Sequence, residues 1–258
     1  MTLRIPVQML GQSGCRLGFP GVTVYLDPYL SNSVQELDAP DLARLKPIAY
    51  HPSSMFDADW VLITHDHIDH CDPYTLQDVA TASPGCRFVG PPTVRSNLVK
   101  WDINPGRIAC ASEFWQHLGP DLRVCAVPAA HPTVERDAQG QMLCVGYILE
   151  YADRRIYMAG DTCVTEELLS TLKKFGPIHT AFLPVNEHNF FRGRRGIIGN
   201  MSVREAFQLA TEIGVHQVVA VHWDMFEINS VDPAEIRIVH ERMRPAFRLL
   251  IDPETIEI

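Results

Sequence analysis

Residues 65 to 70 read HDHIDH, three histidines and two aspartates in six positions, one residue after the apolar run Val61, Leu62 and Ile63. Imidazoles and carboxylates crowded this densely repel their own kind once charged, and a divalent metal ion among them relieves that repulsion. Zinc-type ions accept imidazole nitrogen and carboxylate oxygen, and hydrolytic sites keep one coordination position open for water. If the loop turns sharply, two of the histidines reach one ion while the neighbouring aspartate and histidine reach a second. Two ions roughly 3.5 to 4 Å apart can hold a hydroxide between them, with a further carboxylate, Asp161, as a bridge.

The flanking sequence says what must position this cluster. "ADWVLITH" is a buried strand by its Val61, Leu62 and Ile63, and "DPYTLQDVATAS" has the proline start and apolar spacing of a helix. HDHIDH therefore occupies a strand-to-helix loop, where α/β proteins place chemistry. Three more apolar strands run into a metal-competent residue: "IYMAGD" into Asp161, "VVAVH" into His222 and "CAVPAAH" into His131. Strand ends that converge on one sheet edge bring these distant positions together. His51, His117, His179, His216 and His240 have no ligand pattern around them and are expected in the core or on the surface.

The rest of the chain is predicted as follows. "IPVQMLG", "CRLGF" and "VTVYLDP" form a meander of antiparallel strands, and "CRFVGPP", "RIACA", "LRVCAVPAAH", "MLCVGYILEY" and "HTAFLPVN" are further strands. "TEELLSTLKKFG" is an amphipathic helix closed by Gly176. "SVREAFQLATEIG" is a helix with a capping box at Ser202 and Glu205 and Gly214 at its far end, and "DPAEIRIVHERM" is the last helix. With no low-complexity linker and no fixed-period repeat, residues 1–258 are expected to form one domain. The 46% of hydrophobic residues supplies a sizeable core. A balance of 22 basic against 31 acidic residues, net -9, opposes attraction to phosphate backbones and anionic membranes, so neither is an expected partner. Seven scattered cysteines without a C-x-x-C pair, and no signal peptide beyond a faint "LGQSGC", predict reduced thiols and a cytoplasmic protein.

"THDHIDH" matches H-x-H-x-D-H, and with "AGDT" and "VHWD" in the expected order the chain resembles the metallo-β-lactamase superfamily over nearly its whole length. The resemblance implies a four-layer αββα sandwich with the site at one edge between two sheets. It also implies that His65, His67 and His131 hold one metal, that Asp69, His70 and His222 hold the second, and that Asp161 bridges them. Within the superfamily, "MLGQSGCRL", "VYLDPYLS", "RGIIGNM" and "VHWDMF" resemble the L-ascorbate-6-phosphate lactonase group. Imidazoles favour two Zn2+ ions, whereas the group resemblance points to Mn2+. It also hints at a homo-oligomer.

The resemblance implies a metal-dependent hydrolase that opens a small anionic sugar-acid lactone by attack of a metal-bridging hydroxide, with Asp69 and Asp161 as the catalytic carboxylates. In "NEHNFFRGRRG", Arg192, Arg194 and Arg195 could grip phosphate or carboxylate bidentately, and Asn186 and His188 could bind hydroxyls or the developing oxyanion. Two alternatives are a phosphodiesterase acting on small or cyclic nucleotides and a non-catalytic sugar-phosphate-binding protein.

Overall fold

The computed structural model describes residues 4–251, 253 and 255–258. The first half of the chain supplies β1 (Pro6–Gly11), β2 (Gly14–Phe19), β3 (Val22–Leu26), β4 (Trp60–Leu62), β5 (Arg87–Gly90) and β6 (Ile108–Cys110). The second half supplies β7 (Gln116–His117), β8 (Leu122–Pro128), β9 (Val145–Tyr151), β10 (Arg154–Met158), β11 (Thr180–Pro184), β12 (Gln217–Val221) and β13 (Arg248–Ile251). The last strand, β14 (Thr255–Glu257), returns to the first sheet beside β1. The two seven-stranded sheets run β14-β1-β2-β3-β4-β5-β6 and β13-β12-β11-β10-β9-β8-β7.

Each sheet changes direction once. β1 to β3 and β8 to β10 pair antiparallel, then β3 to β6 and β10 to β13 pair parallel. The halves thus share a topology that no sequence period announces. Hairpins need only short turns, whereas parallel strands need crossovers, and these carry the helices: α1 (Pro73–Ala82), α2 (Pro92–Lys100), α3 (Glu166–Lys174), the one-turn α4 (Phe190–Gly193), α5 (Val203–Glu212) and α6 (Pro233–Met243).

Strand composition follows from burial on both faces. β11 and β12 are buried at every position, which explains their unbroken apolar runs. Between the sheets, Leu17, Leu26 and Leu62 of the first meet Val124, Tyr147, Met158 and Phe182 of the second. On the outer face of the second sheet, Leu168, Phe207 and Ile236 of α3, α5 and α6 cover Ile148, Tyr157 and Val218. On the outer face of the first, Leu76 and Leu98 of α1 and α2 cover Val61 and Phe88. The result is four layers, αββα, each large apolar side chain contributing roughly 1.5–3 kcal/mol by leaving water.

The helix ends obey local chemistry. Asp72 caps α1 ahead of Pro73, and α5 has the full reciprocal capping box of Ser202 and Glu205. Gly176 and Gly214 follow α3 and α5 with φ of +70° and +68°. Two helices escape the sequence reading. α2 starts at the second of two prolines and carries two valines, so its local preference reads as turn and strand, and α4 is too short to show a period.

Candidate metal centre

The strand ends lie at one edge of the sandwich. His65 follows β4, His131 follows β8, Asp161 follows β10 and His222 follows β12 directly. His67, Asp69 and His70 occupy the loop into α1, which folds tightly because the His67 carbonyl accepts the main-chain N–H of His70 at 3.0 Å and of Cys71 at 2.7 Å. The ends of β8 and β10 are tied together: Cys163 N donates to the Ala130 carbonyl at 2.7 Å, and Ala130 N donates to Thr162 Oγ1 at 2.9 Å. Gly160, at φ +61°, turns the chain just before Asp161, where a Cβ would meet Thr64 at 2.7 Å.

All seven metal-competent residues converge. The ligand atoms of His65, His67 and His131 lie within 4.8 Å of one another, as do those of Asp69, His70 and His222 and of His65, His70 and Asp161. His67 Nδ1 is 3.2 Å from His131 Nε2, and Asp69 Oδ2 is 3.4 Å from His222 Nε2. Asp161 stands between the two sets, with Oδ2 3.2 Å from His222 Nε2 and 3.6 Å from His131 Nε2, and Oδ1 3.4 Å from His70 Nε2. Two atoms bound to one tetrahedral ion at ~2.0–2.2 Å stand roughly 3.3–3.6 Å apart, so these separations suit shared cations.

Burial makes the same point. His65 Nε2, His70 Nε2 and Asp161 Oδ1 are buried without a hydrogen-bond partner among the described residues. Each such orphan costs about 1–3 kcal/mol, a cost that a cation seated among them removes. Divalent ions of the zinc or manganese class fit this mixture of imidazoles and carboxylates.

Burial pushes the carboxyls of Asp161 and Asp69 up, but the imidazoles of His70 and His222 outweigh it and hold both well below the usual carboxylate range. In the other direction, burial pushes His70 and His222 down, yet Asp161 and Asp69 prevail, so His70 sits well above its ordinary value and His222 is pushed up to about 9. His65 and His131 are lowered, chiefly by burial, His131 to about 4. In the metal-free cluster, protons on His70 and His222 supply the positive charge that cations would bring.

Three residues outside the donor set hold it in place. The Asp27 carboxylate, at the end of β3, accepts Thr64 N at 2.8 Å and Thr64 Oγ1 at 2.7 Å, and lies 2.8 Å from His70 Nδ1, which fixes the tautomer that turns Nε2 inward. Thr64 Oγ1 in turn is 3.0 Å from His65 Nδ1. Gln12, in the β1–β2 turn, reaches Asp69 and His222. Gln12, Asp27 and His222 all have positive φ, of 54°, 39° and 60°, the sparsely populated conformation that gathers at functional sites. Asp27→Ala would strand three buried donors, so a loss of about 3 kcal/mol or more is expected. The urea midpoint measures it, and an unmoved midpoint would remove Asp27 as an anchor.

The description "Beta-lactamase superfamily domain" belongs to a family model that matches residues 23–223, a span that includes all seven converging donors. The chain belongs to the beta-lactamase superfamily. This superfamily member is 26% identical over 228 residues to an uncharacterized protein of Mycobacterium bovis, covering 87% of this chain but only 60% of that one. It is 25% identical over 214 residues to a UPF0173 metal-dependent hydrolase of Thermococcus onnurineus, covering 83% of each. Its fold matches that of Igni18, a metallo hydrolase from Ignicoccus hospitalis, with TM-score 0.71, 20% identity and 99% of both chains covered. It also matches an isothiocyanate hydrolase from Delia radicum gut bacteria, with TM-score 0.75, 18% identity and 98% of both chains covered.

The residues of this beta-lactamase superfamily member that were expected to face substrate divide into two kinds. Asn186 is fully buried, donating to Asn229 Oδ1 at 3.1 Å and accepting from Asn200 Nδ2 at 2.9 Å, so both ends of its carboxamide are engaged inside the protein. The Arg192 guanidinium donates to the carbonyls of Glu187 at 2.8 Å, Ser230 at 2.7 Å and Ile228 at 3.3 Å, and so ties two loops together. His188, Arg194 and Arg195 are exposed, and Arg194 lies over the Phe190 ring. The segment leans on the metal-centre edge through Cys163 Sγ, 3.8 Å from the Gly199 carbonyl. Among the described residues no helix is long and apolar enough to cross a membrane.

Proposed function

We propose that this chain is a metal-dependent hydrolase that opens a small anionic lactone, with His65, His67 and His131 holding one Zn2+ or Mn2+ ion, Asp69, His70 and His222 a second, and Asp161 between them. The observation that carries the reading is the convergence of seven donors at one sheet edge, with His65, His70, Asp161 and His222 buried; the same chain offers an arginine-lined cavity. That cavity, of about 630 Å3, is lined by Asn189, Phe191, Arg192, Arg194, Arg195 and Ile228. A second recess, of about 500 Å3, borders Gln12 and Trp223, but its cation Lys46 is already 3.2 Å from Asp224. An incoming carboxylate or phosphate therefore suits the arginine cavity.

When bound, the cations supply an acidified water, its pKa lowered from 15.7 toward roughly 7, and a Lewis acid for the charge that develops on the carbonyl oxygen. The chain's own residues do the rest. Arg195, whose side chain has no hydrogen bond or ion pair among the described residues, and Arg194 orient the anionic end. Asn186 and Arg192 keep that loop in place. A water oxygen bonds to the lactone carbon as the ring C–O bond breaks. Asp69, the more exposed of the two carboxylates, passes the proton to the departing alkoxide, and a hydroxy acid results.

Hydrolysis of sugar-acid lactones, set against bis-p-nitrophenyl phosphate and cyclic nucleotides, tests the proposal. Anionic lactones are expected to be the better substrates. Turnover confined to phosphodiesters would replace this reading, and two bound metals without turnover of any ester would mark a binding protein. Arg195→Ala is expected to raise KM about 10-fold for an anionic lactone and leave kcat unchanged, the signature of a lost charge-assisted contact made equally in ground and transition states. A neutral lactone should show no such change.

A further inference from the structure

We infer that Gln12 is a positioning residue that sets the affinity of the Asp69, His70 and His222 triad for its cation. The inference rests on the two-cation reading above, and Gln12 lies outside the residues matched to the family.

Each donor needs something to hold its angle. His70 has Asp27 and His65 has Thr64, but the Asp69 carboxylate sits on a loop and has one hydrogen-bond partner outside the donor set among the described residues. That partner is Gln12, whose Nε2 donates to Asp69 Oδ2 at 2.6 Å. His222 is in a similar position. Its Nδ1 has no partner among the described residues, while its main-chain N–H donates to the Gln12 carbonyl at 3.1 Å and its Nε2 lies 3.0 Å from Gln12 Nε2. One side chain, 3% exposed, thus touches two of the three donors, and its main chain holds the strand end that carries one of them.

The turn is built for this. Gln12 takes φ +54°, and Gly14 brings the turn so close to β3 that a Cβ would meet the Asp27 carbonyl at 2.8 Å. A carboxamide suits the task because it donates to a carboxylate without adding charge to a cluster already crowded with it. The side chain works through Asp69 and His222 and reaches no reacting atom in this arrangement.

The test is Zn2+ loading of the metal-free full-length chain in competition with a chromophoric chelator, comparing wild type with Gln12→Ala and Gln12→Asn. Asparagine tolerates positive φ and keeps the amide but falls one methylene short, so it separates reach from backbone strain. Circular dichroism and melting of the metal-free variants report folding. Outer partners of metal ligands typically matter by 10- to 100-fold in affinity, so both variants should raise the dissociation constant of one of the two equivalents by about that factor and leave the other unchanged. Folded variants that bind both equivalents as tightly as wild type, or tighter, overturn this inference alone. A wild-type chain that takes up only one equivalent overturns it together with the two-cation reading.

Discussion

Asp161→Ala is expected to lower kcat/KM on a lactone substrate by about 10^3-fold or more, or ~4 kcal/mol of transition-state stabilisation. Among the described residues no other carboxylate faces both triads, and its two oxygens lie 3.2–3.6 Å from His222, His131 and His70. Its charge also does much to hold His70 and His222 above their ordinary pKa, and without it fewer negative charges draw cations into a buried space. Metal content should fall along with activity. Because the carboxylate's contacts are confined to the donor set, the variant should still fold. Asp161→Asn keeps the shape and one oxygen donor, so an intermediate loss is expected. A fully folded Asp161→Ala chain with activity within tenfold of wild type would contradict the bridging role.

Exhaustive chelation is expected to abolish hydrolysis and to lower the melting temperature by about 10 °C, both restored by two equivalents of one divalent ion. Ligand held at about a thousand times its dissociation constant stabilises by ~4 kcal/mol, and a chain of this size shifts roughly 2–4 °C per kcal/mol. The metal-free chain should also acquire its own pH dependence. His222 is pushed up to about 9 in the folded cluster against ~6.5 unfolded, so its proton stabilises the metal-free fold fully below pH ~6.5, and that contribution is lost as pH rises through about 9. His131 works in the opposite sense: lowered to about 4, it costs stability as pH falls from ~6.5 toward 4. Melting curves of chelated protein between pH 4 and 9 should therefore peak near neutrality. A chelator-treated chain with unchanged activity would reject metal-dependent hydrolysis.

The donors were legible in the sequence because their chemistry is local. HDHIDH packs four of them into one loop, and His131, Asp161 and His222 each end an apolar run, which is how a buried strand delivers a side chain to a sheet edge. The supports were harder to see. Asp27 also ends an apolar strand, "VTVYLD", and the same rule would have marked it, but its carboxylate meets His70 and Thr64 only through the pairing of β3 with β4. Gln12 lies in an ordinary-looking turn, and its reach to Asp69 depends on a positive φ that no spacing rule reveals.

The substrate loop shows the opposite error. Arginines and an asparagine beside a site invite a ligand, yet Arg192 and Asn186 are drawn to carbonyls and carboxamides of neighbouring loops that are distant in sequence. The fold follows the same division. Apolar runs and helix caps such as Ser202 with Glu205 were visible, because they rest on contacts a few residues apart. Helix α2, with its prolines and valines, forms where tertiary packing of Val94 and Leu98 against the first sheet overrides local preference.

Anomalous diffraction from crystals of the metal-loaded chain, collected at the absorption edge of the bound ion, tests the central claim most directly. The expected result is two peaks about 3.5–4 Å apart, one among His65, His67 and His131, the other among Asp69, His70 and His222, with Asp161 between them. A map from fully loaded protein with no peak within reach of these residues, or with a single peak that leaves one triad unliganded, would contradict it.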